Sequence, residues 1–130
     1  MPENRFIMDS SAWIEYLNGT EQGKKVEKIL NKTGQTVFTP NLVGAEVVSK
    51  IERDGEDSKN AIDSIENITR QPDEKREYFF EAGKLHAKLR KTKRNISFVD
   101  AILLILAEKN KAKIITKDYH LKGKNTIFLD

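Results

Sequence analysis

The chain has no cysteine and only two histidines in 130 residues. Disulfides, zinc–thiolate centres and thiol nucleophiles are therefore excluded, and any bound metal must be held by oxygen or by His86 and His120. Long apolar runs are also missing. The longest, Ala101 to Ala107, falls far short of the ~20 residues that span a bilayer, and Met1-Pro2-Glu3-Asn4 has no signal-peptide character. A cytoplasmic location without a membrane partner is expected. With no internal repeat, low-complexity segment or linker, residues 1–130 are expected to form one domain, of a size that buries roughly two-thirds of its unfolded surface.

Charged residues make up 33% of the chain and alternate with periodic apolar blocks, the pattern of an ordinary globule rather than of a disordered segment. Apolar runs at 5–8, 36–39, 113–116 and 126–129 read as short strands. Helical spacing of apolar residues marks 10–17, 20–31, 41–53, 58–68, 74–93 and 97–109, with Pro40 preceding the third helix and Asp73 placed to cap the fifth. Phe98 through Leu106 is apolar around most of the sixth helix, which should be buried on nearly all sides. The pair of helices between residues 41 and 70 is expected to project as a hairpin. Strands separated by helices indicate a three-layer α/β/α fold around a mainly parallel sheet of four to five short strands.

Four carboxylates stand out in this arrangement. Asp9 closes the first strand and Asp118 follows the third, while Glu46 and Asp100 lie early in apolar helices. Strand-end acids of a parallel sheet project from its carboxyl edge, where open α/β sheets bind ligands. Each acid also has a structural reading. Asp9 can cap the helix that follows, Ser97-Phe98-Val99-Asp100 has the form of a capping box, Asp118 can cap a turn, and Glu46 can be an exposed helix residue.

If all four converge, their chemistry is constrained. Two carboxylates ~4 Å apart repel by about 4 kcal/mol at an effective dielectric of 20, so such a cluster either raises its pKa values or binds a cation. An all-oxygen donor set selects a hard ion, Mg²⁺ or Mn²⁺, one or two of them, and such an ion activates water without a histidine base. His86, inside an amphipathic helix, and His120, without a partner in sequence, are read as structural. Gathering four negative charges out of a net +3 leaves +7 on the remaining surface, a balance suited to a phosphodiester substrate. Lys88, Arg90, Lys91, Lys93 and Arg94 form the densest basic run and are candidate RNA contacts, though they also suit a solvated helix end. Tyr119 is read as packing into the core, with base stacking as its alternative.

The segments Ile7-Met8-Asp9-Ser10-Ser11-Ala12-Trp13-Ile14, Thr39-Pro40-Asn41-Leu42-Val43-Gly44-Ala45-Glu46-Val47, Ser97-Phe98-Val99-Asp100-Ala101-Ile102 and Ile114-Ile115-Thr116-Lys117-Asp118 resemble the PIN-domain ribonucleases. Among the small single-domain members they are most similar to the VapC-like toxins of toxin–antitoxin pairs. The likeness covers essentially the whole chain. It implies that Asp9, Glu46, Asp100 and Asp118 hold the catalytic divalent metal, with Ser10 and Thr116 supporting them. Family members often carry a further acid two residues past the T-x-D acid, where this chain has His120 and then Leu121. A fifth carboxylate ligand is not available.

The resemblance also implies an RNA substrate, a cognate antitoxin and pairing as a homodimer. Trp13, Tyr16, Val48 and Ile51 are candidate residues of an antitoxin groove, with core packing as their alternative. The expected function is metal-dependent endoribonucleolytic cleavage by the toxin of a toxin–antitoxin pair. A housekeeping RNA-processing nuclease and a non-catalytic receiver-like or binding domain are the alternatives. Against the receiver-like reading, Asp9 stands alone where an acidic pair would follow the first strand.

Overall fold

In the computed structural model, which describes residues 4–93, 95–123 and 125–130, four strands form one parallel sheet in the order β2-β1-β3-β4. They are β1 (Arg5–Met8), β2 (Thr36–Phe38), β3 (Lys113–Thr116) and β4 (Thr126–Phe128). A fifth strand is not formed among the described residues; in its place a single parallel bridge joins Phe38 to Arg70. Ile7 and Met8 of β1 pair with Ile114 and Ile115 of β3, and all four are essentially inaccessible to solvent. Central parallel strands are covered on both faces, which is why their sequences are apolar without alternation.

Helix α1 (Ser10–Asn18) packs against β1 and β3 and carries α2 (Glu21–Leu30) and α3 (Asn41–Arg53). Helix α6 (Phe98–Lys109) packs against the same two strands and carries α5 (Arg76–Leu89). These groups are the outer layers of the sandwich. α1 stops at Gly19, whose φ of 64° suits a left-handed C-cap. Four residues later Gly23 lets α2 lie directly on α1, because a Cβ there would fall 2.0 Å from the Glu15 carbonyl oxygen.

Several element boundaries differ from expectation. α5 spans 76–89 rather than 74–93, and Lys75, not Asp73, precedes it. Asp73 has other partners: its backbone N–H donates to Asn110 Oδ1 at 2.9 Å, and its carboxylate accepts the Tyr78 hydroxyl at 3.1 Å. α3 is docked on α1 through the fully buried Val43 and Val47 rather than projecting freely, and α4 (Lys59–Ile68) packs on α3. The first turn of α6 is not buried on all sides, since Phe98 is exposed. It is the residue on which His86 stacks, at 4.0 Å between ring centroids.

The chain passes from β1 to β2 on one side and then returns across β1 to β3 on the other. The order therefore reverses between β1 and β3, and a crevice opens at their carboxyl ends.

Candidate functional site

That crevice is bounded by the turns that leave β1 and β3. Asp9 is the N-cap of α1, and its Oδ1 accepts Ala12 N at 2.9 Å and the Ser11 hydroxyl at 2.7 Å. Its Oδ2 accepts the hydroxyl of the fully buried Thr116, one residue past the last β1–β3 pair. Thr116 Oγ1 in turn accepts Asp118 N at 2.8 Å, and Ser11 Oγ accepts Lys117 N at 2.9 Å. The two turns are thus laced together by two hydroxyls. Asp9 is 4% exposed; burial raises its pKa, the Ser11, Thr116 and Ala12 hydrogen bonds lower it, and the Asp118 charge raises it further.

Asp100 reaches the crevice from α6. It completes a capping box, with its backbone N–H on Ser97 Oγ at 3.1 Å and its Oδ2 accepting Ser97 N at 3.3 Å. The structural reading is realised, and the same carboxyl group also lies beside that of Asp118. Burial, then the Asp118 contact, pushes the Asp100 pKa up to about 6. Asp118 Oδ1 also accepts His120 N at 2.9 Å.

Glu46 enters from α3, one helical turn from the buried Val43. Burial raises its pKa, a hydrogen bond from Ser10 lowers it, and the Asp9 charge raises it. The four acids therefore form a chain of neighbours, Glu46 to Asp9, Asp9 to Asp118 and Asp118 to Asp100.

Among the described residues, no three histidine, aspartate or glutamate side chains close into a metal-coordinating cage. The carboxylates instead spend much of their acceptor capacity on protein donors. An open set of this kind fits Mg²⁺ or Mn²⁺, which keep several waters and take only one or two carboxylates directly. It does not fit zinc, which draws on thiolates and imidazoles: there is no cysteine, His86 Nε2 contacts the Ile96 carbonyl at 3.2 Å, and the His120 ring lines a separate cleft with Lys93 and Lys122.

Ser10 lines the same cleft as Glu46, whose pKa its hydroxyl lowers. The hydroxyl that holds Asp9 from its own helix is that of Ser11, which the sequence reading did not single out. The signal was present as Asp-x-Ser at a helix start, a spacing that returns a hydroxyl to the cap carboxylate. Trp13 is fully buried, its Nε1 donating to Thr39 Oγ1 at 2.9 Å, and so is no groove residue; Tyr16, Val48 and Ile51 are half-buried. Tyr119 is exposed, against the expected core packing.

Basic residues reach the site from an unexpected quarter. A cleft of about 830 Å³ beside the acids is lined by Glu46 and Asp118 together with Lys50, Arg53 and Lys117. Lys50 and Arg53 follow Glu46 by one and two turns of α3, so helical periodicity from Glu46 would have found them. Lys88, Arg90, Lys91 and Lys93 are exposed at and beyond the end of α5. Lys93 lines a cleft with His120, Leu121 and Lys122 of the turn after Asp118, and Arg94 lies outside the described residues.

The model of one family, the PIN domain, matches residues 6–125. A search of curated proteins returned no significant match. Among solved structures the chain is similar to a chain of a toxin–antitoxin complex from Klebsiella pneumoniae, at 12% identity and a TM-score of 0.74, covering 95% of this chain and 97% of that one. It is similar to a chain of VapBC2 from Rickettsia felis bound to a DNA fragment from their promoter, at 16% identity and a TM-score of 0.73, covering 95% and 96%. It is also similar to VapC20 of Mycobacterium tuberculosis, a sarcin-ricin loop cleaving toxin, at 18% identity and a TM-score of 0.69, covering 92% of each chain. At such identities the likeness is one of fold.

Proposed function

Because the chain belongs to the PIN-domain family, whose model matches residues 6–125, we propose that it is a Mg²⁺- or Mn²⁺-dependent endoribonuclease acting as the toxin of a toxin–antitoxin pair. The observation that supports this reading is the run of pairwise acidic neighbours, Glu46 by Asp9, Asp9 by Asp118 and Asp118 by Asp100, at the ends of strands whose order reverses. These four residues would hold one or two ions. A bound divalent ion makes water a stronger nucleophile at neutral pH and offsets negative charge on a phosphate oxygen.

The chain's own residues prepare that chemistry. Ser11 and Thr116 fix the Asp9 carboxylate, Ser10 orients Glu46, and Ser97 orients Asp100. Lys50, Arg53 and Lys117, lining the cleft beside the acids, are placed to neutralise the phosphates of a bound strand. Lys88, Arg90, Lys91 and Lys93 are then an outer surface for RNA rather than part of the cleft.

The toxin role and the antitoxin partner rest on the solved relatives, which include toxin–antitoxin complexes from two bacteria and an RNA-loop-cleaving toxin. No helix among the described residues is long and apolar enough to cross a membrane. A homodimer is proposed on the family resemblance alone.

The test is cleavage of total cellular RNA by purified protein with Mn²⁺ or Mg²⁺, alongside an EDTA control and Asp100→Asn. Discrete fragments that require the ion and are absent with the variant are expected. Equal cutting by both proteins, or none by either, would sink the nuclease assignment at these residues.

A further inference from the structure

Two large aromatic side chains close in sequence to the acids stand in solvent. Tyr119, next in sequence to Asp118, is 75% exposed, and Phe98, two residues before Asp100, is 60% exposed. A single exposed aromatic needs no explanation, but these two are held in place. Tyr119 opens a one-turn 3-10 helix pinned by Asp118, whose Oδ1 accepts His120 N at 2.9 Å and whose carbonyl accepts Leu121 N at 3.1 Å. The Leu121 side chain anchors the turn in the core.

The Tyr119 ring has its own supports. Phe128 meets it edge to face at 6.0 Å, and Lys122 Nζ lies 5.3 Å from its centroid and 4.8 Å from that of Phe128. Phe98, in the capped first turn of α6, is backed by the His86 ring. Rings fixed in this way lose little freedom when a flat ligand settles on them.

We propose that Tyr119, braced by Phe128 and Lys122, is a platform on which an unpaired nucleobase next to the scissile phosphate stacks, with Phe98 a second platform beside Asp100. This rests on the nuclease reading above and narrows its substrate to RNA whose bases at the cut are unstacked, as in single strands and loops. Flat rings interleaved with cations are the recognition chemistry of single-stranded nucleic acid. A protein-docking groove would instead present a contiguous apolar strip, whereas these two rings stand on separate elements, Phe98 at the start of α6 and Tyr119 in the turn after β3.

The experiment follows cleavage of a short single-stranded RNA that spans a mapped cut, intact or with an abasic nucleotide at each position flanking the cut. With the wild-type protein, one abasic position is expected to raise KM by roughly 5- to 150-fold. Tyr119→Ala should raise KM on intact RNA by a similar factor, add no further loss at that abasic position, and be rescued by Tyr119→Trp. Unaltered thermal melting of the variants excludes misfolding as the cause. An unchanged KM for Tyr119→Ala, or equal losses on intact and abasic RNA, overturns the platform while leaving the nuclease intact. Absence of any ion-dependent cutting by the wild-type protein overturns both. Loss of antitoxin binding in Tyr119→Ala with unchanged RNA kinetics would assign the surface to a protein instead.

Discussion

Asn110 and Asp100 sit at opposite ends of α6 and are buried to nearly the same degree, 5% and 6% exposed, yet they meet very different surroundings. At the amino edge of the sheet, Asn110 Nδ2 donates to the Asp73 and Leu106 carbonyls at 3.1 and 2.9 Å, and its Oδ1 accepts Asp73 N at 2.9 Å. Its backbone carbonyl accepts Arg5 Nε from β1 at 2.8 Å. An amide carries donors and acceptors together and can be satisfied by neutral neighbours. At the carboxyl edge Asp100 faces Asp118, and ionised carboxylates offer acceptors only. That end remains short of positive charge until a proton or a cation arrives. One end of the helix holds the fold together, and the other stores repulsion that a ligand can relieve.

Replacing Asp100 tests the contrast most sharply. Asp100→Asn removes one charge and keeps the shape, so RNA cleavage should fall by at least about 100-fold while the ion-free protein at pH 7 becomes more stable. Opposite signs for activity and stability are the signature of a strained functional site. A cleavage assay paired with urea unfolding checks both, and a destabilised, active variant would contradict the account.

Asn110→Ala should behave in the reverse way. It removes the acceptor of the part-buried Asp73 N–H and the link between the Pro72 loop and the end of α6, at a cost of about 2 kcal/mol. Cleavage per folded molecule should be unchanged, as judged by activity normalised to the folded fraction.

The pH dependence of stability separates the two ends again. The folded chain holds a proton on Asp100 up to about pH 6, whereas the ordinary value is 3.8, so folding takes up protons between those values. The associated stability is complete below the unfolded pKa and is lost as pH rises through the folded one. Asp9 and Glu46, also raised by burial, act in the same direction. The ion-free protein should lose roughly 1 kcal/mol more than Asp100→Asn between pH 5 and pH 7.5, after allowance for solvent screening of a half-buried group. Millimolar Mg²⁺ or Mn²⁺ should abolish that difference, and identical pH profiles with and without the ion would separate Asp100 from any metal.

Much of this was legible in the sequence, and the failures have a common origin. Apolar runs mark parallel strands because both faces of the sheet are covered, and Asp9 and Asp118 follow from strand ends alone. The partner of each hydroxyl was not legible. Ser10 and Ser11 are adjacent, and only the direction in which α1 leaves β1 decides that Ser11 turns back to Asp9 while Ser10 faces Glu46. Phe98 and Tyr119 read as core because apolarity in sequence carries no information about which side of an element faces solvent at its first turn. Lys50 and Arg53 were passed over because charge density favoured the run from Lys88, whereas the cleft is set by the face of α3 that carries Glu46.

The smallest effect concerns how that face is set. α3 begins after Pro40 without a side-chain cap of its own, and the missing acceptor comes from Glu74, whose Oε2 accepts Asn41 N at 3.1 Å. A carboxylate at a helix start also meets the positive end of the backbone dipole, while its burial works against the charge and raises its pKa. Glu74→Ala should therefore cost about 1 kcal/mol, the usual worth of an N-cap, measurable as a shift in urea midpoint. Glu74→Gln, which keeps the acceptor, should cost less. Because α3 is also fixed on α1 by Val43 and Val47, ion affinity should change little. A loss of ion affinity exceeding the loss of stability would mean that Glu74, from outside the acidic cluster, sets the position of Glu46.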